Sequence, residues 1–156
     1  EREHEAALAR VRLAEAELAR LPGATLVGSS LGGFYATHLA EKHDLRAVLI
    51  NPAVTPQADL ESYVGEQRNL YTGATYQLTR RHLDEWRALV TDRIRPERYL
   101  LLVETGDETL DYRHAVARYA GCEQVVVAGG DHSLQSFPQH LDRILAFAGL
   151  GAPRAI

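Results

Sequence analysis

Residues 28–32 combine the features of an activated serine nucleophile. They read Gly-Ser-Ser-Leu-Gly, a G-x-S-x-G pattern that follows a short apolar run and precedes a segment with helical spacing. A sharp strand-to-helix turn here would expose the hydroxyl of Ser30, and Gly28 and Gly32 would relieve crowding in that turn. A helix beginning at Leu31 would direct its backbone amide toward developing negative charge. The pattern therefore predicts nucleophilic catalysis by Ser30, with the Leu31 amide in an oxyanion hole.

A serine hydroxyl needs a base to take its proton and a carboxylate to orient that base. Asp107 follows the third apolar run in a Thr-Gly-Asp turn, and His132 follows the fourth, in the sequence Gly-Gly-Asp-His. In serine hydrolases built on a parallel sheet, the nucleophile, acid and base follow in this order, each after a different strand. Ser30, Asp107 and His132 are therefore predicted to form a catalytic triad.

The choice of the acid leaves alternatives, because three more carboxylates lie close to Asp107: Glu104, Glu108 and Asp111. Asp107 is favoured because a side chain in a turn just past a strand end can reach over the sheet edge. Asp111 immediately precedes a helical stretch, which is typical of a helix cap. Asp131 is adjacent to His132, but neighbouring side chains in an extended loop point in different directions, so we expect it to face solvent.

Other functions for these residues lack a required partner. A phosphate-binding loop needs G-x-x-x-x-G-K-[ST], and a dinucleotide site needs G-x-G-x-x-G with an acidic residue about 20 positions later. Neither is present, and the next strand ends at Asn51. No two histidines have metal-site spacing, and the lone Cys122 is expected to be a small buried residue before a strand. No metal or cofactor is predicted, and the remaining alternative is a tight glycine turn with an incidental serine.

The elements that position these residues follow from the apolar pattern. Strands are predicted where short apolar runs are bounded by turn residues, at 24–28, 47–50, 99–103 and 124–127. Helices are predicted where apolar residues recur every three or four positions, at 1–21, 31–43, 76–89, 112–119 and 138–147. Alternating strands and helices predict an α/β fold, with a mainly parallel sheet covered on both faces. The aromatic residues of segment 54–98 either form a lid over an acyl pocket or pack onto the sheet.

Length and composition agree with one domain spanning residues 1–156, since about 100–200 residues per domain is usual. The net charge is −4 with no block of like charge, so no nucleic acid or anionic membrane partner is expected. No apolar run approaches the length of about 18 residues that a membrane span needs. No signal peptide is recognisable, and a cytoplasmic protein is predicted. The chain opens at Glu1 and contains no methionine, so we expect a piece of a longer protein.

Five runs resemble the YqiA/YcfP family of bacterial α/β-hydrolase-fold esterases: LVGSSLGGFYATHLAEKH, INPAV, YTG, TGDETLDYRHAV and GGDHS. The resemblance covers about residues 10–150 and implies a three-layer α/β-hydrolase-like sandwich. It also implies a serine triad of Ser30, Asp107 and His132. Members of the family begin with a strand, a His-Gly type turn and a second strand, which this chain does not show. That first loop supplies a second oxyanion amide in α/β-hydrolases.

The predicted function is hydrolysis of small to medium acyl esters or thioesters through an acyl-enzyme, with no cofactor. The alternative is a non-catalytic, hydrolase-like binding module that uses the pocket or an exposed sheet edge. Without preceding strands, strand 24–28 would be an unpaired apolar edge, and such edges favour association. A homodimer through this edge is one form that the association would take.

Overall fold

The structure is a computed structural model that describes residues 7–68 and 73–151. The chain divides into two compact units. One contains the described residues of Gly23–Val54 and Thr91–Ile156, and the other contains those of Glu1–Pro22 and Thr55–Val90. The strands are β1 (Thr25–Ser29), β2 (Arg46–Ile50), β3 (Gly65–Arg68), β4 (Thr75–Leu78), β5 (Tyr99–Glu104) and β6 (Glu123–Val127). The helices are α1 (Ala7–Leu18), α2 (Leu31–His43), α3 (Pro56–Asp59), α4 (Arg80–Leu89), α5 (Tyr112–Arg118) and α6 (Leu141–Phe147).

The first unit is built on a four-stranded sheet in the order β1-β2-β5-β6, and every neighbouring pair is parallel. The two central strands, β2 and β5, are largely apolar and buried, which suits a parallel sheet covered by helices. Because the strands are parallel, their carboxyl ends meet at one edge of the sheet. The turns after β1, β5 and β6 carry Ser30, Asp107 and His132, so the topology brings these three residues to the same edge.

Alternate residues of the central strands face two different cores, as a strand requires. On one face, the core is formed by the sheet with α2 and α5 and includes Ala36, Ala40, Ala47, Leu49, Leu101, Val103 and Ala115. On the other face, the sheet packs with α6 and its preceding loop, through Val48, Ile50, Leu100, Leu102, Leu134 and Ile144. Helices on both faces of a parallel sheet confirm the predicted three-layer α/β architecture.

Strand β1 lies at an edge of the sheet and, among the described residues, pairs only with β2. The side chain of Val27 in this strand is 57% exposed. An edge strand with an exposed apolar residue is a site where another chain can add to a sheet. The homodimer expected through strand 24–28 stays a prediction.

The second unit corrects one predicted helix. Residues 75–78 form β4, which pairs antiparallel with β3, so the helix predicted from Tyr76 begins only at Arg80. Thr79 caps it, because its side chain and backbone both bond within the first turn to His82. The buried face of α4 contains Leu83, Trp86 and Leu89, as its apolar spacing predicts. Residues 69–72, which include Tyr71 and Thr72 of the YTG run, lie outside the described residues, and the lid predicted in 54–98 stays a prediction.

Smaller differences concern the chain ends and Cys122. The first helix ends at Leu18 rather than residue 21, and its predicted residues 1–6 lie outside the described residues. The last predicted helix, 138–147, is a 3-10 turn over Phe137–His140 followed by α6. Cys122 does precede a strand but is half-buried rather than buried, and this burial raises the pKa of its thiol. None of the helices formed by residues 7–68 and 73–151 has the length and apolar character to cross a membrane.

Candidate active site

Ser30 occupies a strained turn between β1 and α2. Its backbone has φ 52° and ψ −124°, and a positive φ is uncommon for any residue with a side chain. The turn is held by β2 and its extension: the Ser30 N–H donates to Ile50 O at 3.0 Å, and Ser30 O accepts from Ala53 N at 3.0 Å. Such strain costs about 1–3 kcal/mol and persists where surrounding structure imposes it, often at functional sites.

The glycines around Ser30 have unequal roles. A Cβ at Gly28 would lie 2.3 Å from the carbonyl oxygen of Gly32, so position 28 admits no side chain without a backbone shift. A Cβ at Gly32 would meet nothing within 4 Å, so the prediction that Gly32 relieves crowding by lacking a side chain is wrong. The second crowded position is Gly33, where a Cβ would lie 2.5 Å from Cβ of Pro52. The turn therefore depends on Gly28 and Gly33.

The imidazole of His132 lies between Ser30 and Asp107. Its Nε2 is 2.9 Å from Oγ of Ser30, and its Nδ1 is 2.8 Å from Oδ2 of Asp107. An ionised carboxylate can only accept hydrogen bonds, so we assign the ring proton to Nδ1, which donates to Asp107. Nε2 is then the acceptor for the Ser30 hydroxyl. The structure thus brings the three predicted residues together in the arrangement in which a base can take the proton of a serine.

The carboxylate of Asp107 is fixed on both sides. Oδ1 accepts from the backbone amides of Thr109 and Leu110, each at 2.8 Å, while Oδ2 faces His132. The Asp107 side chain is 1% exposed and that of His132 is 23% exposed. The Asp107 carboxylate is therefore shielded from water, whereas the His132 imidazole is partly open to solvent.

The other nearby carboxylates bond elsewhere. The Glu108 carboxylate accepts from the backbone N–H of His132 at 3.1 Å, and so contacts the main chain of His132 rather than its ring. Asp111 caps α5 by accepting from the Arg113 N–H. The Arg113 side chain and this N–H together lower the pKa of Asp111 to about 2. Asp131 accepts from the Ser133 N–H and the Gln135 side chain rather than approaching the imidazole. Of the four carboxylates considered as the acid, Asp107 is the one bonded to the His132 ring.

Two further polar residues near Ser30, Asp107 and His132 are buried: Glu104, which the sequence offers only as an alternative acid, and Asn51, for which it predicts no role. Asn51, 2% exposed, directly follows β2, and Glu104, 1% exposed, is the last residue of the neighbouring strand β5. Burial alone would raise the pKa of Glu104, but hydrogen bonds from Ser136 and from the amides of Asp131 and Gln135 outweigh burial and lower it. A glutamate at the end of an otherwise apolar strand, and an asparagine directly after another, were the available signals.

Leu31, proposed from the sequence as an oxyanion donor, is the first residue of α2. Its amide belongs to the first helical turn, where backbone N–H groups have no acceptor within the helix. Within residues 7–68 and 73–151, no cluster of three or more His, Cys, Asp or Glu side chains could hold a metal ion.

Comparison with known proteins identifies the family. The model of the uncharacterised protein family UPF0227 matches residues 2–149. The chain belongs to UPF0227. The UPF0227 protein YcfP of Salmonella arizonae is 29% identical over 127 residues, which cover 81% of this chain and 65% of that protein. The resemblance to the YqiA/YcfP family is confirmed, and the chain spans 65% of the length of the curated relatives it matches.

Solved structures place this UPF0227 chain in the α/β-hydrolase fold. The esterase domain of a Rhodothermus marinus protein is 19% identical with a TM-score of 0.60, over 90% of this chain and 65% of that one. The monoacylglycerol lipase of Paleococcus ferrophilus is 14% identical with a TM-score of 0.63, over 97% and 78%. At these identities the likeness shows a shared fold, which confirms the predicted fold class.

Proposed function

We propose that this chain is a serine hydrolase that cleaves small to medium acyl esters or thioesters. The observation that carries the proposal is the continuous chain of hydrogen bonds from Ser30 through His132 to Asp107, at 2.9 and 2.8 Å. The strained backbone of Ser30 and the α/β-hydrolase fold add support, because this fold presents its nucleophile on such a turn.

In the first half-reaction, Oγ of Ser30 attacks the acyl carbonyl carbon while Nε2 of His132 takes the hydroxyl proton. The resulting oxyanion accepts a hydrogen bond from the Leu31 amide. The tetrahedral intermediate collapses, the bond to the alcohol or thiol breaks, and the leaving group takes the proton from Nε2. An acyl group remains on Ser30.

In the second half-reaction, water replaces the leaving group. Nε2 of His132 takes a proton from the water as its oxygen attacks the acyl-enzyme, and the collapse of the second intermediate returns that proton to Oγ of Ser30. The carboxylate of Asp107 keeps the ring in the required tautomer and stabilises the imidazolium in both steps. The products are a carboxylic acid and an alcohol or thiol, and no cofactor takes part.

The test is labelling with a fluorophosphonate, followed by intact-mass measurement and peptide mapping. We expect one adduct, on Ser30, which S30A removes and H132A slows by about 10³-fold or more. The matched control is S29A, since Ser29 is the adjacent serine, is exposed, and should be dispensable. Labelling of S30A at the parent rate would contradict the assignment. No adduct on folded parent protein would contradict it too, and would favour the non-catalytic binding module, which the exposed edge at Val27 could serve.

A further inference from the structure

The loop that carries His132 has buried polar anchors outside the triad. Residues 128–136 lie between β6 and the 3-10 turn at Phe137, and the loop contains no helix or strand. Asn51 and Glu104 lie beneath it, almost completely buried. Burying an amide or a carboxylate is unfavourable unless hydrogen bonds replace those made to water, so the partners of these two side chains show what they hold.

Asn51 holds the loop through its side-chain amide. Nδ2 donates to the carbonyl oxygens of Asp131 and His132, at 3.1 and 3.0 Å, and Oδ1 accepts from the Glu104 N–H at 3.0 Å. The backbone of Asn51 has φ 38°, a conformation that asparagine adopts more readily than most residues. One side chain therefore links the end of β5 to the main chain of the base itself.

Glu104 also holds the loop. Its carboxylate accepts hydrogen bonds from backbone amides of the loop, whereas Asn51 donates to backbone carbonyl groups. Oε2 accepts from Asp131 N at 2.8 Å and Gln135 N at 3.0 Å, and Oε1 accepts from Ser136 N at 2.8 Å. A Cβ at Gly130 would lie 1.9 Å from Oε2, so the loop approaches the carboxylate as closely as a glycine permits. Three charge-assisted hydrogen bonds therefore fix both ends of the segment 131–136.

We propose that Asn51 and Glu104 are positioning residues that fix the position and orientation of the His132 imidazole relative to Ser30. This inference rests on the proposed triad. A catalytic group must be held within about 0.5 Å of its productive position, and a displacement of about 1 Å can cost 10²-fold in rate. The His132 main chain is bonded by Asn51 and Glu108, and its neighbour Asp131 by both anchors. Loss of either anchor should move the imidazole relative to Ser30 while leaving the Ser30 turn intact.

Two isosteric variants separate hydrogen bonding from volume. In E104Q, one of the two oxygens becomes an NH₂ group, which cannot accept from the amides it faces. In N51D, Oδ1 can still accept from the Glu104 N–H, but the other oxygen faces two carbonyl oxygens instead of donating to them. Aspartate, like asparagine, tolerates the positive φ at position 51, so the backbone of this variant should be retained.

E41Q is the matched control. Glu41 is also a largely shielded carboxylate, 11% exposed, that accepts from a backbone amide, Arg95 N at 2.9 Å, and from the Arg95 side chain. It lies near the C-terminal end of α2, away from the His132 loop. E41Q should therefore lower stability as E104Q does without changing the reactivity of Ser30.

The experiment measures two quantities on folded protein: the rate constant for fluorophosphonate labelling, and the low-field proton resonance of the His132 Nδ1–H, assigned with H132A. We expect labelling of E104Q and N51D to be about 10–100-fold slower than that of the parent, with the resonance shifted or lost. E41Q should retain both parent values. Parent values in folded E104Q and N51D would overturn the inference, as would an equal loss in E41Q.

The same experiment distinguishes the inference from the proposed function. If the parent is not labelled, the proposed hydrolase fails, and the resonance still reports whether the anchors position the imidazole. If the parent is labelled but the anchor variants behave like it, only the positioning inference fails. If E104Q does not fold, the labelling rate and resonance of N51D test the inference, because N51D keeps the Glu104 carboxylate and its hydrogen bonds to the loop.

Discussion

The turn that carries Ser30 and the loop that carries His132 meet at the same sheet edge, yet they are held by different means. The Ser30 turn is held by its own backbone, because its N–H and C=O groups bond to neighbouring main chain. Its packing is so close that position 28 has no space for a side chain. The His132 loop is held by buried side chains from other strands, Asn51 and Glu104. One half of the site is thus positioned by main-chain sterics and the other by side-chain hydrogen bonds.

This difference determines how each half can fail. A main-chain turn packed against backbone can be disturbed by a single added methyl group, whereas it is insensitive to distant polar substitutions. A loop held by hydrogen bonds to buried side chains moves when a substitution replaces a donor by an acceptor, or an acceptor by a donor, even if the side-chain volume is unchanged. Paired substitutions within each half therefore test whether the distinction holds.

The largest effect is expected at Asp107, which bonds to the imidazole through which the two halves meet. In D107N, Oδ1 can still accept from the Thr109 and Leu110 amides, but the new NH₂ faces Nδ1 of His132. The ring would then place its proton on Nε2 and could no longer accept the proton of Ser30. We expect kcat to fall about 10⁴-fold, the size typical of losing the correct tautomer, as measured with p-nitrophenyl acetate or as a labelling rate.

The control for this prediction is D111N. Asp111 accepts from the backbone amide two residues later, as Asp107 does, but its other partner is Arg113 rather than the imidazole. Activity of folded D111N should therefore equal that of the parent. Comparable activity losses in D107N and D111N would show that Asp107 acts through the fold of its loop and not through His132.

The next effect is expected in the Ser30 turn. In G28A, the new methyl group would lie 2.3 Å from the Gly32 carbonyl oxygen, so the backbone must move. Overpacking of this kind destabilises by about 1–3 kcal/mol or more, and the displaced nucleophile should react at least about 10²-fold more slowly. Stability from urea unfolding and the labelling rate should fall together.

G32A is the matched substitution, four residues later and in open space. Alanine is favoured over glycine in a helix by up to about 1 kcal/mol, so G32A should be neutral or slightly stabilising. Labelling at the parent rate is expected. If G32A were as damaging as G28A, the turn would depend on glycine for a reason other than the contact between positions 28 and 32.

A smaller effect is expected from glycine substitution in the His132 loop. Gly130 and Gly129 have similar backbones, with φ 72° and 78°, but only Gly130 would direct a Cβ at Glu104, 1.9 Å from Oε2. Both alanine variants incur about 1–2 kcal/mol of left-handed strain. G130A should in addition displace the anchor and slow labelling about 10-fold more than G129A does. Equal rates would argue that the carboxylate adapts without moving the imidazole.

The same division explains what the sequence could predict. The Ser30 turn is a local pattern of five residues, and its strand and helix neighbours have clear apolar periodicity, so Ser30 and the bounds of α2 followed directly. Asp107 and His132 followed from their positions after successive strands. All three stay predicted catalytic residues, because their proximity in the structure does not measure reactivity.

Contacts between residues that are far apart in the chain could not be predicted from the sequence. The Asn51 side chain bonds to residues 53, 80 and 81 positions away in the chain, and no local signal identifies such partners. Strand β4 was predicted as part of a helix because its pairing with β3 is likewise absent from local periodicity. Gly32 fits the motif, but only the three-dimensional packing distinguishes it from Gly33.

The smallest effect isolates the charge of a capping carboxylate that has no imidazole partner. Hydrogen bonds from the side chain and then the amide of Arg113 hold the pKa of Asp111 at about 2, below its ordinary value of 3.8. A carboxylate whose pKa is lowered by folding stabilises the protein above its unfolded pKa and loses this contribution as pH falls through the folded value. D111N retains an oxygen that can accept from the Arg113 N–H, so the capping hydrogen bond is kept, while the charge and the bonds from the Arg113 guanidinium to Oδ2 are lost. We expect a slightly lower Tm than the parent at pH 7, with the difference shrinking between about pH 4 and pH 2. A difference in Tm that is constant from pH 7 to pH 3 would contradict this expectation, and would assign the effect to the lost hydrogen bond between the Arg113 guanidinium and Oδ2 rather than to the charge.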